Sequence, residues 1–84
     1  MIDLQSRRTR ALEDVAAEAE RAATKHRPMA GAHEGWAVIK EELDELWEHV
    51  RADTGRSAAA RREAVQIAAM AIRYITDVTE GGAA

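Results

Sequence analysis

The sequence predicts an all-α chain of three helices that completes a four-helix-bundle core by oligomerisation. Apolar residues recur at three- and four-residue spacing along most of the 84 residues, and no run alternates as a half-buried strand would. A chain of this length buries only about 60% of the surface that its unfolded form exposes. Because much of the apolar fraction is alanine and phenylalanine is absent, each helix buries little area, and association between copies would supply the missing core.

The first helix is expected from Asp3 to Lys25, and Pro28 closes it. The stretch RPMAGA then forms the first loop. Basic residues stand at both ends of this helix, at 7–10 and at 25–27. Either set could bind a phosphate on a neighbouring subunit, but the more common roles are a favourable charge at the helix C-terminus for the second set and a solvated surface for the first. The apolar side of the helix consists of Leu4, Ala11, Leu12, Val15, Ala19, Ala22 and Ala23.

The second helix is expected from about Glu34 to Ala52. Its two tryptophans could stack on a nucleobase or contact a partner protein, but their spacing favours a core or a subunit interface. The apolar stripe that should face this core consists of Trp36, Ile39, Leu43, Leu46, Trp47 and Val50.

The third helix is expected from Ala58 to Thr79, with Ser57 as its N-cap and Gly55 ending the helix before it. The turn between these helices, DTGRS, is short, so helix 2 and helix 3 should form an antiparallel hairpin. The buried side of the third helix should consist of Val65, Ala68, Ala69, Ile72, Ile75 and Val78.

Composition limits the classes of protein and of chemistry. There is no cysteine, which excludes disulfides and cysteine-ligated metals. A net charge of −3 argues against binding a nucleic-acid polymer. The start of the chain lacks the apolar run of a signal peptide, and no stretch is long and apolar enough to span a membrane. We therefore expect a cytoplasmic protein with one all-α domain at 1–80 and a disordered tail at 81–84.

The stretch KEELDELWEHVR, at 40–51, concentrates acidic residues within little more than two helical turns. Carboxylates three or four residues apart on a helix repel each other by about a few tenths of a kcal/mol per pair. Glu41, Glu42 and Glu45 can point to one side of helix 2, and the hairpin brings Glu63 of helix 3 to their level. Facing carboxylates raise one another's pKa, and a hard divalent cation such as Mg²⁺ relieves the repulsion.

Two other interpretations of these acids remain open from the residues alone. They could form a solvated helix face, which is common, or Arg61 and Arg62 at the start of helix 3 could neutralise them. His49 stands four residues after Glu45, a spacing that a metal ligand could have, but a histidine exposed near a helix end is the more frequent case.

The spacing of the acids resembles a known signature. Glu41-Glu42-x-x-Glu45, followed after 17 residues by Glu63-x-x-Gln66, is similar to the EExxE…ExxD motif of the MazG-like all-α nucleoside triphosphate pyrophosphohydrolases. The wider run over residues 33–78 looks like the short phage and prophage members of that family. The resemblance implies Mg²⁺-dependent hydrolysis of a nucleoside triphosphate to a monophosphate and pyrophosphate, by a homodimer or homotetramer, with Mn²⁺ as a substitute ion.

The resemblance also implies roles for single residues. Glu42, Glu45 and Glu63 match metal ligands, and Glu41 matches the acid that orients or activates water. At the fourth ligand position the family has aspartate and this chain has Gln66, whose carbonyl can coordinate Mg²⁺ without carrying charge.

Further residues are candidate substrate contacts. Arg73 could pair with a triphosphate or, alternatively, form a salt bridge with Asp77, four residues on. Tyr74 and His33 are the other candidates. The competing function is a catalytically weak or inactive relative that serves as a nucleotide-binding or protein-interaction module.

Overall fold

The computed structural model describes residues 3–81, which form three packed helices with no strand in that range. These helices are α1 (Leu4–Lys25), α2 (Ala32–Ala52) and α3 (Ala58–Tyr74). The predicted all-α class and the three helices are confirmed. Of the tail predicted at 81–84, residues 82–84 lie outside the described range.

Polar side chains cap the first and third helices. Asp3 accepts a hydrogen bond from the backbone N–H of Ser6 at 2.8 Å, so α1 begins at Leu4. Ser57 accepts from Ala60 N at 3.0 Å, which confirms the predicted N-cap of α3. Gly55 has a φ of +74°, in the left-handed region that glycine favours, but it lies two residues beyond the C-cap Asp53.

The last turns of the chain depart from the predicted α-helix. Ile75–Thr79 is π-helical, and Glu80 N donates to Ile75 O at 2.9 Å. The hydroxyl of Thr79 also donates to Ile75 O, at 2.9 Å, and side-chain competition for backbone carbonyls of this kind distorts the end of a helix. The predicted end at Thr79 is therefore right for the helical segment, but its last five residues are more widely wound.

The loop between α1 and α2 is attached to this distorted end. Asp77 Oδ2 accepts a hydrogen bond from Met29 N at 3.0 Å, and Arg73 Nη2 donates to Arg27 O at 3.0 Å. Both are long-range contacts that hold the loop backbone against α3. Met29 is consequently buried in the core although it lies in a loop.

The core is small and contains mostly alanine and methionine. It lies where the second half of α1 packs on α3, and Gly35 near the start of α2 lets the ring of Tyr74 approach closely. A Cβ on Gly35 would lie 2.5 Å from Cδ2 of that ring. The buried cluster consists of Ala22, Met29, Ala69 and Met70, with Val15, Ala19, Val38, Ile39, Tyr74 and Val78 packed around it.

The prediction that the whole apolar stripe of α2 faces a core is wrong for the single chain. Trp36 is 64% exposed and Trp47 is 57% exposed. Leu43 and Val50, on the same helix, are exposed as well. Successive residues are about 100° apart around a helix, so α2 cannot direct both Glu42 and Leu43 towards α3. These four side chains, Trp36, Leu43, Trp47 and Val50, are called the apolar band below.

Leu4 and Leu12 of α1 are exposed as well, against the predicted buried side of that helix. Asp14 pairs with Arg61, in the first turn of α3, at 2.8 Å. One turn further along α1, Glu18 contacts Gln66 of α3. The contacting positions increase together on the two helices, so α1 and α3 run in the same direction. The first turns of α1 therefore extend past the start of α3, and no helix among residues 3–81 covers them.

Candidate functional site

Three carboxylates from two helices converge beside the core. Glu42 and Glu45 stand one turn apart on α2, and Glu63 stands in the second turn of α3. One oxygen from each lies within 4.8 Å of the other two. The packing of α2 on α3 thus brings together three of the four residues that the sequence predicts as metal ligands.

Among the described residues, no lysine or arginine forms a salt bridge with these carboxylates. Within residues 3–81, the lysines and arginines that form salt bridges pair with other acids. Oε2 of Glu63 is buried and has no hydrogen-bond partner in that range. Such an atom loses its hydration on burial without compensation, which costs free energy unless a proton or a cation comes to it.

The crowding of these carboxylates raises the pKa values of the two glutamates on α2. Burial, the charge of Glu45 and the contact with Glu63 together raise the pKa of Glu42 to about 7. The pKa of Glu45 is also raised, first by its contact with Glu63, although its hydrogen bond with Glu42 acts in the opposite direction. At neutral pH the cluster is therefore close to taking up a proton, and a bound cation would compete with that proton.

The arginines suggested as neutralising partners point elsewhere. Arg61 pairs with Asp14 of α1, and Arg62 lies beside it in a shallow groove between α1 and α3. The interpretation in which Arg61 neutralises the acids of α2 is thus wrong.

The acidic cluster lies in a cleft of about 530 Å³ between the three helices and the α1–α2 loop. This volume is within the range of about 300–1,000 Å³ that is usual for small-molecule sites. Basic side chains line the same cleft, so it offers both cation-binding and anion-binding groups. The lining residues are Glu18, Arg21, Ala22, His26, Arg27, Met29, Glu34, Val38, Glu42, Glu45, Glu63, Gln66, Met70 and Arg73.

The fourth predicted ligand, Gln66, also lines the cleft, but its amide nitrogen is engaged. Gln66 Nε2 donates a hydrogen bond to Glu18 Oε2 of α1 at 2.6 Å. Glu18 in turn accepts from Arg21 Nε at 2.9 Å. The Arg21 guanidinium holds the pKa of Glu18 below its usual value, so Glu18 is an ionised acceptor.

Arg73 lines the cleft and is only 7% exposed. Besides its bond to the carbonyl of Arg27, its Nη2 lies 3.9 Å from Asp77 Oδ2. The predicted salt bridge is therefore present, and it does not exclude a contact between the remaining guanidinium N–H groups and a ligand in the cleft.

At the rim of the cleft, Arg27 and Glu34 form a two-bond ion pair. Arg27 Nη1 and Nη2 donate to Glu34 Oε1 and Oε2 at 3.1 Å and 2.9 Å. Glu34 also accepts from Ala30 N at 3.1 Å, and its pKa is lowered first by the Arg27 guanidinium. Arg27 thus lies on the cleft of its own chain, although the sequence suggested that its basic run might serve a neighbouring subunit.

Three of the predicted site residues do not line this cleft. Glu41 and His33 are exposed on α2 and lie outside it. Tyr74 lies in a separate groove of about 260 Å³, which it shares with Trp36, Ile39, Lys40 and Leu43.

The sequence reasoning missed the contribution of α1 and of the first turn of α2 to the cleft, above all Glu18, Arg21 and Glu34. A weak signal was present, because Glu18 stands one turn before Ala22, the buried residue of α1. Polar residues beside a buried position on a helix face are the ones that a neighbouring helix can reach.

Comparison with protein-family models, with curated proteins and with solved structures found no match to this chain. Among the described residues, no helix has the length and apolar character needed to cross a lipid bilayer.

Proposed function

We propose that this chain hydrolyses a nucleoside triphosphate to a monophosphate and pyrophosphate with Mg²⁺, or Mn²⁺ in its place, as the MazG-like enzymes that its acidic motif resembles do. The observation that carries the proposal is the convergence of Glu42, Glu45 and Glu63 in a cleft, with no cationic partner among residues 3–81. These are the positions of the motif.

The donor set fits a hard divalent cation. An octahedral Mg²⁺ with oxygens at about 2.1 Å places neighbouring ligands about 3 Å apart and opposite ones about 4 Å apart. One oxygen of each of the three carboxylates lies within 4.8 Å of the other two, so each oxygen would need to move by less than about 1 Å towards a common centre to reach an ion. The unpartnered Oε2 of Glu63 supports the same conclusion, because a cation would satisfy it.

Mg²⁺ bound there would neutralise phosphate charge and lower the pKa of a coordinated water. The chain itself would bind and orient the substrate. Glu42, Glu45 and Glu63 would hold the ion, Gln66 would add a carbonyl oxygen, and Glu41 would have to orient or activate the attacking water from outside the cleft of this chain.

The basic residues of the cleft suit the phosphates. Arg73 lies in the wall and is fixed by its hydrogen bonds, so a phosphate oxygen meets a guanidinium that needs no reordering. Arg27 at the rim can exchange its contact with Glu34 for one with a phosphate. Tyr74 and His33 remain proposed substrate contacts that would have to act from outside the cleft of this chain.

We further propose that α2 and α3 form an antiparallel hairpin and that two or four copies complete a four-helix-bundle core in the cytoplasm. Gly35 at the start of α2 meets Tyr74 at the end of α3, while Glu42 and Glu45 further along α2 meet Glu63 near the start of α3. This order of contacts supports antiparallel packing. The apolar band supports association, because exposed tryptophans and leucines on one face are typical of an interface.

A specific observation favours the alternative, a relative that binds nucleotide or protein without catalysis. Position 66 carries an amide where the family has an acid, and Glu18 already occupies its nitrogen. The cluster then has one fewer charge for the ion. The exposed Trp36 and Trp47 would serve an interaction module equally well.

The test is a titration with Mg²⁺ and then Mn²⁺, followed by thermal unfolding with and without a mixture of nucleoside triphosphates, with pyrophosphate release assayed in the same samples. Stabilisation by the metal together with release would support the enzyme, and stabilisation without release would support the binding module. Glu45→Gln should abolish both responses. Glu48→Gln is the matched control, because it removes the same charge three residues further along α2 at an exposed position outside the cleft. An absence of any response to metal would contradict the enzyme and the metal-dependent binding of nucleotide, and only the protein-interaction module would remain.

A further inference from the structure

Glu18 and Gln66 form a side-chain contact between α1 and α3 within the cleft. The donor, Gln66 Nε2, lies 2.6 Å from Glu18 Oε2. Arg21 holds the same carboxylate from one turn further along α1, through Nε at 2.9 Å and Nη2 at 2.5 Å. The side chain of Glu18 is only 15% exposed, so this contact is sheltered from solvent.

The contact determines which way the Gln66 amide is turned. The oxygen and nitrogen of a glutamine amide are usually hard to distinguish, and their assignment rests on the hydrogen-bond network. Here the network leaves one solution, because a carboxylate that is paired with arginine can only accept. The nitrogen must therefore face Glu18.

The amide oxygen is then left free. The amide group is planar and its oxygen diverges from its nitrogen, so Oε1 of Gln66 points away from Glu18. Within residues 3–81 no donor bonds to this oxygen, and Gln66 lines the cleft one turn after Glu63 on the same side of α3. An unengaged carbonyl oxygen one turn from a carboxylate cluster is a suitable ligand for a hard cation.

We propose that Glu18 is a positioning residue, which holds Gln66 Nε2 on α1 so that Gln66 Oε1 faces the cleft as the neutral fourth ligand of the cation. This inference rests on the proposed function, since it assigns a ligand to the same ion. The family motif has a negative charge at position 66. In this chain the nearby charge belongs to Glu18 of α1, which would orient the Gln66 ligand through a hydrogen bond.

A carboxylate introduced at position 66 should improve Mg²⁺ binding only if Glu18 is changed as well. Gln66→Glu alone would bring a second carboxylate against Glu18, and the repulsion would offset the added charge at the ion. Exchanging the two residues, as Glu18→Gln with Gln66→Glu, keeps a hydrogen bond between the helices and moves the charge towards Glu63. The exchanged protein should therefore bind Mg²⁺ more tightly than either the wild type or the single Gln66→Glu variant.

The decisive experiment is a double-mutant cycle in the Mg²⁺ dissociation constant, measured by calorimetry. Loss of a partner that orients a metal ligand usually weakens binding by about 10–100-fold, so Glu18→Met, which removes both acceptor oxygens, should weaken Mg²⁺ binding by about tenfold. In a Gln66→Met background the same change should cost less than about twofold, because no amide remains to be oriented. An equal loss in both backgrounds would mean that Glu18 acts through its charge alone, and the positioning role would be overturned.

A second readout needs no metal. In the metal-free protein, one side-chain amide proton of Gln66 should resonate downfield and exchange slowly with solvent, because it is bonded to a sheltered carboxylate. Glu18→Met should remove this signature, because methionine offers no acceptor oxygen, whereas Glu20→Met at an exposed position two residues further along α1 should leave it. Fast exchange in the wild type would overturn the contact itself.

These readouts separate the two proposals. If the amide proton is protected and Mg²⁺ fails to bind, the proposed function and the ligand role of Gln66 both fail, while the contact between the helices stands. If Mg²⁺ binds and Glu18→Met leaves the dissociation constant unchanged, the positioning role fails and the proposed function stands.

Discussion

Replacing Glu42 with glutamine should stabilise the metal-free protein at alkaline pH. Burial beside Glu45 and Glu63 raises the pKa of Glu42 to about 7, from an ordinary value of 4.5. A carboxyl whose pKa is raised on folding holds its proton more tightly in the native state. Its contribution to stability is therefore complete below about pH 4.5 and is lost as the pH rises through about 7. Glutamine has no charge at any pH and removes this loss.

The size of the effect follows from the two pKa values. The difference between 7 and 4.5 corresponds to about 3 kcal/mol at 1.36 kcal/mol per pH unit. Water reaches part of Glu42 and screens the repulsion, so we expect about 1–2 kcal/mol. Since about 1 kcal/mol moves the melting temperature of a domain of this size by about 4–8 °C, Glu42→Gln should melt roughly 5–15 °C above the wild type at about pH 8.

The assay is thermal unfolding followed by circular dichroism from about pH 5 to about pH 8, with a chelator and then with Mg²⁺. At the acidic end the two proteins should melt close together. With Mg²⁺ at alkaline pH the order should reverse, because the ion stabilises the wild type and the variant has lost a ligand. Glu13→Gln, which removes the charge of an exposed glutamate of α1, should follow the wild type throughout. If Glu42→Gln also follows the wild type, the carboxylates do not repel one another and the reasoning about the cluster is refuted.

Other substitutions test the packing. Gly35→Ala should lower the melting temperature, because its Cβ would lie 2.5 Å from the ring of Tyr74. Overpacking of this kind costs about 1–3 kcal/mol, which outweighs the gain of about 1 kcal/mol for alanine over glycine in a helix. An unchanged melting temperature would mean that the ring moves aside. Arg73→Met removes the hydrogen bond to the carbonyl of Arg27, so limited proteolysis should cut the α1–α2 loop faster, and equal rates would show that the loop is held by other contacts. Trp47→Gln should shift the oligomer towards monomer in light scattering without loss of helix, and an unchanged mass would contradict a role of the apolar band in association.

Much of the fold could be read from local patterns. The cap at Ser57, the positive φ at Gly55 and the end of α2 at Ala52 all depend on residues within a few positions of one another. A local pattern also gave the wrong result for the apolar stripe of α2. Apolar spacing identifies a face that avoids water, but it cannot tell a core within the chain from a surface left for a partner.

Three helices and an acidic motif spaced along two of them can be predicted from the sequence alone. The helix packing was needed to see that Glu42, Glu45 and Glu63 meet with no cationic partner among residues 3–81, and that α1 contributes Glu18 and Arg21 to the same cleft. The physical reason is the range of the interactions. Helix periodicity and capping arise from contacts three or four residues apart, which a sequence displays directly. The contact between Glu18 and Gln66 joins positions 48 residues apart, and it exists only because the packing of the small alanine side chains lets α1 and α3 approach closely.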